Sequence, residues 1–592
     1  MQSQPQQPPE ITGRSLCQQT LAAARSAGLS DLVARIIAGR VQNIDGSFAP
    51  FLKPSLSYLD DPLLLSDMNT ARNRLVEAIK GGEKIGVVTD YDVDGITSHT
   101  LIRETLVQDF GVPDAQVTGF IGHRLTEGYG LSEPVCKRVL AVAPAVVITA
   151  DCGSSDEARI AVLKAAGIDV IVTDHHGFPA AGPPASALAT VSPAHPESRY
   201  PDTAIAGCTV AWLLMCMVRA ALIEAGVIDA SAPKLTRHLD LVSLGTVADA
   251  VSLFSSNNRA LVMAGLAIMN RLERPCWQAL ANLLERPPQV PFSIDDLGFQ
   301  IGPRINARGR MEDPFAAWHF LAATEQNVAR QLLLELDDNN RQRRAMEKSM
   351  VQSAREQVAA TLTPAQQTIV VYDDTYHAGV QGIVASRLLD SFGRVTCVMS
   401  PGSEAGLISG SLRSVAAVDV GQALREVHKR HPRLLHRFGG HRAAAGVSVP
   451  VAQLAQFQAA LDAAVADQLG DTLLGPVLYS DGELAADELT LTTWQELQQL
   501  SPYGRGFEKP LFDGMFEVLQ VRAVGADPVH LSLNLRAGQH KVRGIWFSAL
   551  DAAGDTLPFS NGSAIRCVYE LQPDSYRGGA AMQLIVRHAR AE

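Results

Sequence analysis

Three short apolar runs in this chain each end in acidic residues or histidines. "KIGVV" passes into "TDYDVDG", which carries Asp90, Asp92 and Asp94; "AVVIT" passes into "ADCG", which carries Asp151; and "DVIVT" passes into "DHH", which carries Asp174, His175 and His176. Runs this short and this uniformly apolar predict parallel strands buried on both faces. In an open parallel sheet, ligands gather at the carboxyl ends of the strands, so these side chains are expected to converge. A fourth member, Asp249, stands at the polar end of the helical stretch "LDLVSLGTVADAV". Carboxylates crowded in such number repel one another unless cations lie between them. Hard oxygen donors mixed with one or two imidazoles suit Mn²⁺ or Mg²⁺ better than a structural zinc. Two such ions, about 3.5–4 Å apart, activate a water and steady the leaving oxygen of an in-line phosphoryl displacement. An EF-hand is disfavoured, because the twelfth position counted from Asp90 is Leu101 rather than a carboxylate.

Holding these groups together calls for a doubly wound α/β sheet over residues 71–325, with strands expected at Lys84–Thr89, Ala145–Ala150 and Asp169–Thr173 and helices such as Asp156–Ala166 between them. Ahead of it, residues 1–70 hold a Gln/Pro-rich tail (Met1–Glu10, expected to be disordered), a helical segment Arg14–Ala38 and a Pro/Leu-rich connector ending near Leu65. Behind it, a polar helix of roughly Thr324–Leu362, closed by Pro364, is read as a connecting helix over 326–362. A smaller α/β unit is expected over 363–469, with strands Thr368–Tyr372 and Val395–Met399. From 470 to 592 the pattern changes to short alternating runs such as "FEVLQVRAV", "HLSLNL" and "AIRCVYEL" between turns, which predicts a small β-barrel. A length of 592 residues fits such a multi-domain plan.

Composition narrows the setting. The 46% hydrophobic and 19% charged residues are ordinary for a globular protein. The longest apolar runs are read as strand-length stretches such as Val146–Ala150 and Val170–Thr173, of four to six residues, so no membrane span is expected. The N-terminus lacks the layout of a secretory signal, and eight scattered cysteines include no CxxC pair, which points to a reducing cytoplasm rather than to disulfides or a zinc knuckle. A net charge of −11 weighs only softly against a nucleic-acid partner, because carboxylates that hold metal are neutralised by it.

The four acidic segments resemble the phosphoesterase motifs of the DHH superfamily. The later segments "HRLTEGYGL", "GPRINARGRM", "HAGVQGIVASRL", "SGSLRS", "FGGHRAAAG" and "PYGRGFEKPLF" are similar to its RecJ branch of single-strand-specific 5′-to-3′ DNA exonucleases, and the likeness runs from near residue 80 to the end. The resemblance implies a DHH domain, a connecting helix, a DHHA1 domain and a C-terminal OB-fold barrel. It implies Asp92, Asp94, Asp151, His175 and Asp249 as ligands of two Mn²⁺ or Mg²⁺ ions, Asp90 as a further ligand and Asp151 as the bridge. His176 is then expected on the scissile phosphate, with Asp174 orienting a neighbouring histidine. A 5′-phosphate pocket is implied from Arg124, Arg304, Ser411 and Arg413, with Arg308 and Arg310 within one turn of Arg304, and His441 as a further substrate contact. Single-stranded DNA is the implied substrate, in repair and recombination. The chain is expected to act as a monomer in the cytoplasm, with a helicase or single-strand-binding protein as compatible partners.

Three departures stand out: Thr89 where relatives carry Gly, Gln381 where Ile or Val is expected, and "GHR" at 122–124 in place of an Asn-containing form. None removes a ligand. The stretch Arg425–Arg442 has six Lys/Arg and four His against one Glu, as a wall tracking phosphates would. Phe516, Trp546, Phe547, Tyr569 and Tyr576 are candidates either for base stacking or for barrel core. Two alternatives share the acidic motifs: a phosphodiesterase for short oligonucleotides or cyclic dinucleotides, which needs no remote grip, and a non-catalytic nucleic-acid scaffold.

Overall fold

The computed structural model describes residues 8–42, 47–124, 126–311, 315–550, 552–574, 579 and 581–592, without the side chains of Arg310 and Met311. The expected tail lies mostly outside them, but Glu10 opens a strand, Glu10–Gly13, that pairs in parallel with Val477–Ser480. The chain forms two compact units that do not follow chain order. The first runs from Ile44 to Asn340 and adds Gln498–Lys509; the second gathers the N-terminal residues, Arg341–Leu497 and Pro510–Glu592.

The first unit is built on five parallel strands: β1 (Ile85–Thr89), β2 (Val117–Ile121), β3 (Val146–Ala150), β4 (Asp169–Thr173) and β5 (Ala189–Val191). Their order is β2-β1-β3-β4-β5. Alternate residues feed two cores: Val87, Ile148 and Ile171 enter one, and Val88, Val147 and Val172 the other. Burial on both faces is why these strands read as unbroken apolar runs. The chain leaves β1 for β2 on one side and returns to β3 on the other, which opens a crevice at their carboxyl ends. Two strands were not expected. Ala189–Val191 is only three residues long, and Val117–Ile121 is interrupted by Gly119.

Gly119 is there for space. A Cβ on it would sit 2.4 Å from Nε2 of His99, in helix α1 (Val93–Glu104). The His99 ring is fully buried, edge-on to Trp318, and shares a 3.2 Å hydrogen bond with the Thr89 hydroxyl, which gives that departure from the family pattern a structural role. Burial, reinforced by the charges of Arg103 and His319, lowers its pKa to about 3. Between that value and about 6.5 the unfolded chain binds a proton that the folded one refuses, so stability rises with pH across this window and is lost as pH falls. The loss reaches about 3 kcal/mol by pH 4. Urea unfolding at pH 7 and pH 4 should show it, and His99→Leu should flatten the slope whatever its own stability.

Helices α2 (Gly207–Glu224), α3 (Leu239–Ala248) and α4 (Ser256–Met269) supply much of one core. Helix α2 contains an apolar stretch, Val210–Val218, longer than the four to six residues expected. It is long and apolar enough to cross a membrane, yet 61% of it is buried inside this unit, as expected of a core helix. From α4, Arg259 reaches under the returning segment 498–509. It is fully buried, stacks 4.9 Å from the Phe507 ring, and donates to the carbonyls of Leu500 (2.7 Å), Pro502 (2.9 Å), Phe51 (2.8 Å) and Leu253 (3.3 Å). Helix α5 (Gly302–Met311) lies against the loop that follows β1, where a Cβ on Gly309 would meet the Tyr91 carbonyl at 2.8 Å.

Helix α6 (Gln326–Thr361) is continuous over 36 residues, close to the expected connecting helix. In the second unit a mixed sheet has the order β9-β10-β8-β7-β6, from β6 (Thr368–Tyr372), β7 (Val395–Pro401), β8 (Leu407–Arg413), β9 (Arg437–Gly440) and β10 (Ala444–Pro450). Helices α7 (Gln381–Phe392) and α8 (Val420–Arg430) pack on it. A closed barrel follows: β11 (Phe512–Val524), β12 (His530–Ala537), β13 (His540–Trp546), β14 (Ala564–Pro573) and β15 (Met582–Ala591), ordered β11-β12-β13-β15-β14. The expected helical segment 14–38 is two helices, Gln18–Ser26 and Asp31–Ala38, the second capped by the Ser30 hydroxyl.

Candidate active site

Each acidic side chain is held by the element that carries it. Asp92 caps α1, accepting from the amides of Asp94 (2.9 Å) and Gly95 (3.1 Å). Gly95 is obligatory, because a Cβ there would meet the Asp90 carbonyl at 2.2 Å. Asp94 is fully buried and accepts from the first amides of α2, Gly207 (2.7 Å) and Cys208 (2.9 Å), where the helix dipole favours an anion. Asp151 follows β3 in the left-handed region (φ 58°), a conformation that Asp and Asn tolerate best among residues with a Cβ. Asp249 is the C-cap of α3.

These groups converge as the strand ends require. The ligand atoms of Asp90, Asp92 and Asp151 lie within 4.8 Å of one another, as do those of Asp94, His175 and Asp249. Nε2 of His175 is 3.3 Å from Asp151, 3.5 Å from Asp249 and 3.9 Å from Asp94. Asp174 accepts from the amides of Ser154 (3.0 Å), His175 (2.8 Å) and His176 (3.1 Å) and bonds Nδ1 of His176 at 2.8 Å. It therefore orients His176 and shapes the loop around it.

The electrostatics divide the cluster in two. Burial and then neighbouring carboxylates push Asp90 and Asp151 well above the usual range, and Asp249 to about 8. Burial also raises Asp94, although His175 opposes it. Asp174 goes the other way: burial works against it, but the His176 hydrogen bond and both imidazole charges hold it well below the usual range. The same contact outweighs burial at His176 and raises it to about 9. Oδ1 of Asp90, Oδ1 of Asp151 and Nε2 of His175 are buried with no hydrogen-bond partner among the described residues. Such atoms are rare in native proteins, and three of them in one acidic crevice fit hard divalent cations.

Several contributing residues were not singled out from the sequence. The Tyr129 hydroxyl donates to the Asp151 carbonyl at 2.8 Å and lies 3.2 Å from Nδ1 of His176. A Cβ on Gly207 would meet that of Asp151 at 2.8 Å, and one on Gly245 would meet Cys208 Sγ at 2.5 Å and Asp94 Oδ1 at 2.8 Å. These two glycines let α2 and α3 press against the carboxylates. A glycine in an apolar helical run was the available signal.

The expected phosphate contacts fare differently. Arg124 is half-buried in the first unit, its guanidinium 5.3 Å from the Tyr91 ring and its charge felt by Asp90. Arg304 is 7% exposed and already committed: it donates to Asp337 (2.9 and 2.8 Å) and to the Gln300 carbonyl (2.6 Å), while Arg308 donates to Asn339 (2.9 Å). The Arg310 side chain lies outside the described residues. In the second unit, Arg413 donates to the Ser411 hydroxyl (2.9 Å), and a Cβ on Gly382 would lie 2.5 Å from its Nη2, so this glycine admits the guanidinium to the start of α7. Gln381 is buried, and its amide donates to Ser400 (2.8 Å) and the Ser409 carbonyl (2.7 Å), which accounts for a polar residue at an apolar position. His441 is exposed beyond β9. Within the basic stretch, Arg430 pairs with Glu426 and Asp467 and Arg437 with Glu404, while Arg425 and Arg433 are exposed. Among the aromatics, Phe516 and Tyr569 are barrel core, Phe547 is 57% exposed, and Tyr576 lies outside the described residues.

Comparison with known proteins agrees with this arrangement. Family models match three stretches: the DHH family, N-terminal domain, over 84–246; the DHHA1 domain over 365–467; and the RecJ OB domain over 480–588. The single-stranded-DNA-specific exonuclease RecJ of Haemophilus influenzae is 36% identical over 544 residues, spanning 90% of this chain and 92% of its own length. That of Escherichia coli is 33% identical over 529 residues, spanning 88% and 90%. The crystal structure of RecJ in complex with Mn²⁺ from Thermus thermophilus matches with a TM-score of 0.78 at 26% identity, covering 98% of this chain and 79% of that one. A crystal structure of exonuclease RecJ bound to manganese matches with a TM-score of 0.57 at 32% identity, covering 69% and 97%. With likeness at this level over nearly the whole length of its relatives, and with the DHH, DHHA1 and OB parts in order, the chain belongs to the RecJ family of single-stranded-DNA-specific exonucleases.

Proposed function

We propose that this protein degrades single-stranded DNA from the 5′ end to 5′-mononucleotides, in DNA repair and recombination, with two divalent cations, Mn²⁺ or Mg²⁺, as cofactor. The observation that carries the reading is the pair of adjoining donor sets, Asp90, Asp92 and Asp151 beside Asp94, His175 and Asp249, whose ligand atoms lie within 4.8 Å of one another in each set. Asp151 belongs to the first set and lies 3.3 Å from His175 of the second, so it would hold metal together with residues of either set. Held by these residues, divalent cations would supply Lewis-acid polarisation of the phosphoryl group and of an attacking water. The protein's own groups do the rest. His176, oriented by Asp174 through Nδ1, would contact a non-bridging oxygen of the scissile phosphate. Tyr129 fixes the turn that presents Asp151.

Arg124 and, in the other unit, Ser411 and Arg413 bind phosphates of the strand, with His441 as a further contact. Arg304, tied to Asp337, serves this reading by buttressing α5 against α6 or by exchanging partners when phosphate arrives. The domain limits 71–325, 326–362, 363–469 and 470–592, after an N-terminal 1–70, belong to the same reading, with the barrel binding the single strand. So do action as a monomer in the cytoplasm and association with a helicase or a single-strand-binding protein. A 5′-labelled single strand incubated with Mn²⁺ should release labelled mononucleotide first. Release from the 3′ end, or turnover of dinucleotides but not of long strands, would sink the reading.

A further inference from the structure

Segment 498–509 returns to the catalytic unit and ends in a tight turn beside the acidic crevice. Gly504 and Phe507 exchange backbone hydrogen bonds (3.0 and 3.1 Å), which leaves Arg505 and Gly506 at the tip, with Gly506 at φ 76°. The tip is docked on the chain just past Asp249. The Leu253 amide donates to the Arg505 carbonyl at 2.7 Å, a Cβ on Gly504 would meet Leu253 Cδ1 at 2.6 Å, and one on Gly506 would meet Ser252 Oγ at 2.3 Å. Below the turn, Arg259 ties down Leu500 and Pro502, and the Tyr503 and Phe507 rings stack 5.9 Å apart. The tip is therefore rigid, and its backbone, not its side chain, makes the docking contacts.

The Arg505 side chain is exposed and makes no ion pair among the described residues, whereas the nearby Lys509 pairs with Asp295. Its charge is felt by Asp249, just as that of Arg124 is felt by Asp90. The carboxylate cluster thus has one arginine acting on Asp90 and another on Asp249. An exposed guanidinium on a rigid tip, next to a site for a polyanion, has a geometry suited to a phosphodiester.

We infer that Arg505 is a substrate-positioning residue that binds a backbone phosphodiester of the strand on the Asp249 side of the scissile phosphate. The inference rests on the nuclease reading above. It is tested with the full-length protein, Mn²⁺ and a 5′-phosphorylated single-stranded oligonucleotide. Arg505→Ala should raise KM roughly 10-fold with kcat within about 2-fold, and should lower the steepness of log KM against log salt by about 0.7, the share of one phosphate contact on a single strand. Arg505→Lys should restore that steepness, and the thermal midpoints of both variants should match wild type, because only backbone atoms of Arg505 hold the turn. Unchanged KM and salt dependence in Arg505→Ala would overturn the inference. So would a shift confined to the Mn²⁺ concentration needed for half activity, since Arg505 would then act only on Asp249. If the unmodified protein itself fails to cut the strand, it is the nuclease reading that falls, and the salt dependence of oligonucleotide binding without metal still decides the arginine's role.

Discussion

Asp151→Asn should lower strand cleavage by at least about 10³-fold, a loss of roughly 4 kcal/mol of transition-state stabilisation. Asparagine is the informative substitute because it keeps the shape and tolerates the left-handed backbone at this position, where alanine would add strain. Only the charge and one ligand oxygen are lost. Two further measurements separate loss of a ligand from loss of fold. In EDTA the variant should melt at or above the wild-type temperature, because one buried carboxylate crowded by Asp94, Asp92, Asp249 and Asp90 has become neutral. The rise in melting temperature that Mn²⁺ gives the wild type should shrink, as it does whenever a ligand's affinity for the folded state falls. Single-strand binding without metal should survive. Retention of near-normal cleavage by Asp151→Asn would remove the basis for a two-ion site.

The second large effect is on stability. Arg259→Met should destabilise the catalytic unit by about 3–5 kcal/mol, since it leaves four carbonyl groups without their donor in a buried site. Methionine fills much of the volume, so the loss reports hydrogen bonding rather than a cavity. Lysine should not rescue it, because a single ammonium lacks the planar fork that reaches carbonyls on different segments. For a unit of this size the melting temperature should drop on the order of 10 °C. A drop under about 2 °C would show that water replaces the guanidinium without penalty.

The parts of the site that lie at the ends of apolar strands were legible because a fully buried strand announces itself as a short run of Val and Ile, and its next residues must face the crevice. Asp90, Asp151, Asp174 and His175 are of this kind. Asp249 was legible as the polar end of an apolar helix. Less visible were features that depend on what is absent from a side chain. Gly207 and Gly245 matter for the Cβ they lack, and a sequence records no distance to Asp151 or Asp94. Strand β2 was hidden by Gly119, whose purpose appears only once His99 is seen behind it. Helix α2 was hidden for a different reason: it is apolar on nearly every side because it is surrounded, so it carries no polar face to mark a helical period. The arginines show the limit of motif position. Arg304 matches the family segment, yet its guanidinium is engaged with Asp337, a partner 33 residues away along the chain.

The return of residues 498–509 to the catalytic unit has a consequence for synthesis of the protein. The carbonyls that Arg259 needs at Leu500 and Pro502, and the ring of Phe507 above it, leave the ribosome only after the whole of Arg341–Leu497 has been translated. At about 5–20 residues per second that is a delay on the order of ten seconds. During it the nascent catalytic unit carries a buried-type arginine with no lid, a vulnerable window for proteases and a natural place for a chaperone. A gene fragment that stops near residue 340 would make that condition permanent, so the nuclease centre is not expected to survive as a separately expressed domain.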